Sequence, residues 1–143
     1  MSDKRPPSEH LPDIDFFNFT NTFLPKIDFY ISDIDALIRN KKGQFMILEK
    51  KCRMAELKKC QRISYEFLHG FIIGCNGNPI HTPSLGRVEN WTYYGIHLLQ
   101  FENTSFEDGL AFFDRKEVTK AEFVRICNFG SNRTKIYARG KRG

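Results

Sequence analysis

The chain reads as an α/β (α+β) domain on three observations. An acidic segment and an apolar one flank a turn between Ile31 and Lys51, a Lys- and Leu-rich segment with helical spacing follows from Ala55 to Phe71, and an aromatic, extended run spans Trp91 to Glu102. Extended and helical segments alternate, so strands and helices are expected to share one core.

Residues 1–13 carry Pro6, Pro7 and Pro12 among charges and read as a flexible arm. From Asp15 to Leu24, Phe16, Phe19 and Phe23 fall near helical spacing, Asp13 or Asp15 stands in a capping position and Pro25 ends the run, predicting a helix that lies across the sheet. The acidic stretch ISDIDALI and the run FMILEKK are separated by Asn40-Lys41-Lys42-Gly43, a turn composition that predicts a hairpin. Phe45 to Leu48 are continuously apolar, as in a strand covered on both faces.

Leu57, Cys60 or Ile63, Phe67 and Phe71 recur every three to four residues, predicting an amphipathic helix over 55–71. The glycines and prolines that follow predict an exposed loop as far as Asn90. Trp91 to Glu102 predicts a long strand and Gly109 to Phe113 a short one. A last helix is expected from Thr119, which caps it with Glu122 three residues on, and Asn128 and Gly130 end it. The organisation is thus an arm over 1–13, one domain over 14–129 and a basic tail over 130–143.

At 143 residues, with 41% hydrophobic residues, the chain can bury a single core. No run approaches the roughly 20 apolar residues of a membrane span, and MSDKRPPSEH lacks the apolar heart of a secretory signal. The expectation is a soluble intracellular protein, in the cytoplasm or wherever DNA is held. Cys52, Cys60, Cys75 and Cys127 form no Cys-x-x-Cys pair and are expected as free buried thiols. The net charge of +5 is concentrated at the end, where Arg125, Arg133, Lys135, Arg139, Lys141 and Arg142 follow the last acid, Glu122. Such a segment tracks phosphates or serves as a solubilising end.

The chemistry gathers around the hairpin. Side chains alternate along a strand, so Glu49 and Lys51 share a face, as do Asp33 and Asp35, and pairing of the two strands brings these groups together. Two carboxylates suffice to hold Mg²⁺ or Mn²⁺, which keeps several waters. Asp35 and Glu49 are the expected metal ligands, with the Lys50 backbone carbonyl between Glu49 and Lys51 as a further one. Asp33 is either a second carboxylate of the site or a solvated strand acid. The Lys51 ammonium is placed to stabilise negative charge on a phosphate or an attacking water.

Asp35, Glu49 and Lys51 resemble the signature of the PD-(D/E)xK nuclease superfamily, with Ile34 standing where the family has proline. Gln61 and Tyr65, one helical turn apart, resemble the Gln-x-x-x-Tyr element of its RecB-like and lambda-exonuclease-like members. The resemblance covers about residues 15 to 105. It implies a restriction-endonuclease-like αβββαβ core, a central mixed sheet flanked by helices with the metal site on the second and third strands, and a supporting role for Gln61 and Tyr65. It also implies an accessory acid on the first helix, for which Glu9, Asp13 and Asp15 are the acids at hand.

The functional expectation is a Mg²⁺- or Mn²⁺-dependent nuclease acting on DNA rather than RNA, endonuclease before exonuclease, with Lys41, Lys42 and the basic end binding the backbone. Cutting both strands with one site per chain calls for a homodimer. The alternatives are a non-catalytic nucleic-acid-binding module and a scaffold subunit with a nuclease-like fold.

Overall fold

A computed structural model describes residues 34–140. The arm, the helix expected over Asp15–Leu24, the acids Glu9, Asp13, Asp15 and Asp33, and the basic residues Lys141 and Arg142 lie outside the described residues.

Strands β1 (Ala36–Arg39) and β2 (Gln44–Lys51) pair antiparallel, Ala36 opposite Leu48 and Arg39 opposite Phe45, as the hairpin reading expects. The turn closes because the Asn40 side-chain oxygen accepts from the Lys42 and Gln44 N–H groups, 3.0 Å each, while Gly43 takes a left-handed φ of +83°. Helix α1 (Lys59–Gly74) starts four residues later than its spacing suggests. Arg53 and Met54 turn the chain through left-handed φ values, and the Met54 N–H binds the Phe101 carbonyl, holding this stretch across the sheet end.

The expected loop after α1 contains a short antiparallel hairpin, β3 (Ile80–Thr82) with β4 (Gly86–Val88). Then β5 (Thr92–Phe101) runs parallel to β2 along its whole length. Parallel neighbours need a crossover, here supplied by α1 and the small hairpin. Beyond β5, β6 (Ala111–Phe113) and β7 (Lys116–Glu117) extend the sheet in the order β1-β2-β5-β6-β7. Helix α2 (Lys120–Cys127) follows, its Thr119 hydroxyl accepting from the Glu122 N–H as the capping pattern requires. The segment expected as a basic tail instead contributes β8 (Ala138–Arg139), which pairs with the start of β5, so the sheet is six-stranded and mixed. The domain therefore runs past 129.

The apolar run of β2 divides its side chains between two faces. Met46 and Leu48 join Leu99, Phe101, Phe113 and Ile126 in one buried cluster, beneath α2. Phe45 packs with Trp91, Tyr93 and Ile72 on the other, the face that α1 covers. Tyr93 and Ile96, three apart on β5, reach the same cluster because the β2–β5 register slips by a residue between them, where Gly95 adopts φ +98°. This is the geometry of a β-bulge. All four cysteines are free, as expected, but Cys60 and Cys75 are exposed rather than buried.

Gly43 seats the hairpin on β5: its carbonyl accepts from the Thr92 N–H at 2.8 Å, and a Cβ there would stand 2.8 Å from the Asn90 carbonyl oxygen. Gly43→Ala is expected to lower stability by more than about 1 kcal/mol, combining the positive φ with that clash. Urea unfolding checks it, a midpoint equal to that of the parent chain counting against it.

Candidate active site

A carboxylate buried in a protein needs partners for its charge. Glu49, near the end of β2, is 4% exposed. It has three partners. The Tyr65 hydroxyl donates to Oε1, the Gln61 amide donates to Oε2 at 3.1 Å, and Lys51 Nζ stands 3.6 Å from the same oxygen. Strand alternation brings Lys51 to this face, and the four-residue spacing of Gln61 and Tyr65 brings both down from one side of α1. Gln61 is held in turn, since its side-chain oxygen accepts from the Lys58 N–H where the helix begins.

Asp35, a bend residue just before β1, lies one step beyond the Ala36–Leu48 pair and so stands across the hairpin from Glu49 and Lys50. Its Oδ2 accepts from the Lys50 N–H at 2.9 Å. In a strand, the N–H and C=O of one residue point to the same edge, so the Lys50 carbonyl shares the Asp35 side of β2. The charge of Asp35, like that of Glu49, bears on the Tyr65 hydroxyl. Burial, and then the hydrogen bond to Glu49, raise Tyr65 well above the ordinary phenol range, keeping it a protonated donor at neutral pH.

Beside Glu49 and Tyr65 opens a cavity of about 250 Å³ whose far wall includes Asp114 and Arg115. These two form the β6–β7 turn, both at left-handed φ, an arrangement that twists with the strands it joins. Asp114 accepts from the Leu98 N–H at 2.9 Å and faces His97 Nδ1 at 2.6 Å, while His97 Nε2 faces the Tyr94 carbonyl. Arg115 reaches Glu56 with both terminal nitrogens, at 2.7 and 2.5 Å. Sequence reasoning passed over this wall because the Asp-Arg turn lacks the usual Gly or Asn.

The structure thus brings together Asp35, Glu49, Lys51, Gln61 and Tyr65. The other described basic residues among those singled out from the sequence stand apart from that network. Lys41 and Lys42 occupy the exposed turn at the opposite end of the hairpin. Arg133 spends its guanidinium on the carbonyls of Phe113, Lys116 and Glu117 and lies over the Phe113 ring, a structural clamp rather than a free cation. Lys135 lies over the Tyr137 ring, and Arg139 belongs to β8. Lys58, Lys59 and Arg62 are exposed around the start of α1, the end of the helix that carries Gln61, and its first turn carries no acid.

No family model, curated protein or solved structure matches the chain. No helix among the described residues is long and apolar enough to cross a membrane.

Two expectations follow. Tyr65→Phe keeps the ring but removes the donor to a buried carboxylate, so urea unfolding should show a loss of about 1–3 kcal/mol; no loss would mean that Glu49 is satisfied without Tyr65. The second concerns acid. Hydrogen bonds from Arg115, then Gln100, lower the Glu56 carboxyl from 4.5 to about 2. A depressed carboxylate contributes stability above its unfolded value and loses it as pH falls through the folded one. The melting-temperature gap between the parent chain and Glu56→Gln should accordingly close between pH 5 and pH 2, and a gap independent of pH would contradict the pairing.

Proposed function

We propose that the chain is a metal-dependent nuclease of restriction-endonuclease-like architecture that hydrolyses DNA phosphodiesters, cutting internally. One observation carries the reading: a carboxylate 4% exposed, Glu49, opposes Asp35 across a hairpin while Lys51, Gln61 and Tyr65 converge on it. The order of elements supports it. An antiparallel pair, with Asp35 just before its first strand and Glu49 on its second, leads through a helix into a strand parallel to that second strand. This is in keeping with the last four elements of the αβββαβ order that the resemblance implies; the first helix and strand of that order have no counterpart among the described residues.

The donor set suits Mg²⁺ or Mn²⁺. Asp35, Glu49 and the Lys50 carbonyl offer hard oxygens, and one or two carboxylates are what Mg²⁺ takes alongside water and phosphate. A carboxylate has about four acceptor positions, and three partners on Glu49 leave room for one more. When bound, the metal would neutralise phosphoryl charge and acidify a water. The protein's own groups do the rest. Gln61 and Tyr65 fix the Glu49 carboxylate in one orientation. The Lys51 ammonium stabilises negative charge developing at the phosphorus centre. Lys58, Lys59 and Arg62 draw the phosphate backbone toward the site.

Purified protein should cut DNA with Mg²⁺ or Mn²⁺ and not with a chelator, and Glu49→Gln or Lys51→Ala should slow cutting by about 10²-fold or more. Rates unchanged in both variants would refute the assignment. Salt-sensitive DNA binding in chelator with no cutting in either metal would point instead to a binding module.

A further inference from the structure

The β1–β2 hairpin borders a second, much larger concavity beside its apolar stretch. Among the described residues, a groove of about 1140 Å³ lies between the β1–β2 hairpin, α1 and the β3–β4 hairpin. Its floor is apolar, built from Leu37 and Ile47 of the sheet, Leu68 and Ile72 of α1, and Leu85 and Val88 of the small hairpin. Leu37 is 58% exposed and Leu85 67%, so large aliphatic surface faces the opening. The rim is basic: Arg39, Lys41 and Lys42 on one side and Arg87 on the other, with Glu89, paired to Arg87 at 3.0 Å, as the acid among the lining residues.

Leu37 stands opposite Ile47 in the hairpin, and Ile47 precedes Glu49 by one alternation on β2, so the groove and Glu49 share a face. From Glu49 to the level of Phe45 is about 13 Å of strand. That separation is within the reach of a few nucleotides, although the groove and the Glu49 cavity have no lining residue in common. The ligand must present apolar surface to the floor and negative charge to the rim. Duplex DNA offers phosphates but keeps its base faces stacked inside. An unpaired strand offers both, since freed bases cover apolar surface while the backbone follows the cations.

We propose that this groove binds an unpaired nucleic-acid strand running up to the Asp35–Glu49 site, making the preferred substrate DNA with single-stranded character beside the scissile bond. The inference rests on the nuclease reading for its link to cutting, but not for the binding it asserts.

Fluorescence anisotropy in chelator separates the two, because it requires no hydrolysis. A labelled oligothymidylate should bind at least 10-fold more tightly than a duplex of equal length. Lys41→Ala with Lys42→Ala should reduce the log–log salt slope by about 1.4, two contacts at about 0.7 each on a single strand. Leu85→Asp should weaken the oligothymidylate at least 5-fold, and Glu49→Gln should leave it bound even if cutting is lost. Equal affinity for duplex and single strand, or a salt slope and affinity unmoved by the lysine and Leu85 variants, would overturn the proposal. So would capture of an acidic amphipathic peptide by a chain with no affinity for the oligothymidylate, which would make the groove a protein-docking surface. A parent chain that cuts DNA with neither metal, with groove binding as expected, would sink the nuclease reading alone.

Discussion

The structure is organised around one charge taken out of water. Glu49 sits near the end of β2, which is buried from Met46 to Glu49, and a carboxylate there is tolerated only with donors arranged around it. Those donors come from α1, which must therefore pack on the face of β2 that bears Glu49 and at a fixed rotation about its own axis. Gln61 and Tyr65 set that rotation. The short stretch from Cys52 to Lys58, turned by Arg53 and Met54 and tied to the end of β5, delivers the helix to the right place. Packing and site geometry are thus the same constraint seen from two sides: the phenol that ties α1 to β2 also holds the carboxylate at which chemistry is proposed.

The opposite face of β2 does different work. Met46 and Leu48 anchor a dry cluster with β5, β6 and α2, so the strand is fixed from beneath by dispersion and burial while its upper face carries polar groups. The bulge at Gly95 reconciles the two. Without the extra residue in β5, Tyr93 and Ile96 would point to opposite faces, and the wall beside Glu49 would lose its floor. A site that demands sub-ångström placement is in this way built on paired strands rather than on loops, the arrangement that gives the greatest precision.

Much of this was legible in the chain because the signals are local. The Asn40–Gly43 turn, the unbroken apolar run before Glu49, and the Thr119–Glu122 cap each depend on residues within a few positions of one another. Gln61 and Tyr65 became legible only jointly with Glu49, since either alone reads as an ordinary helix-surface residue, whereas Tyr65 is 6% exposed. What stayed hidden is long-range or made of unusual residues. Strand β8 is two residues long and exists through its pairing with β5, so no periodicity announces it. Strands β3 and β4 are three residues each, inside a segment whose prolines and glycines signal a loop. Asp114 and Arg115 adopt left-handed conformations more usual for Gly or Asn, and the role of Arg133 as a clamp on three carbonyls cannot be told from a basic tail by composition.

Since the proposed activity hinges on Asp35 and Glu49 gripping a common cation, the most direct measurement is Mn²⁺ binding by electron paramagnetic resonance, with a non-hydrolysable DNA analogue present. The account predicts saturable binding by the parent chain that is lost in Asp35→Asn and in Glu49→Gln, each still folded by circular dichroism. Binding that persists in both variants, or that the parent chain never shows, would contradict it.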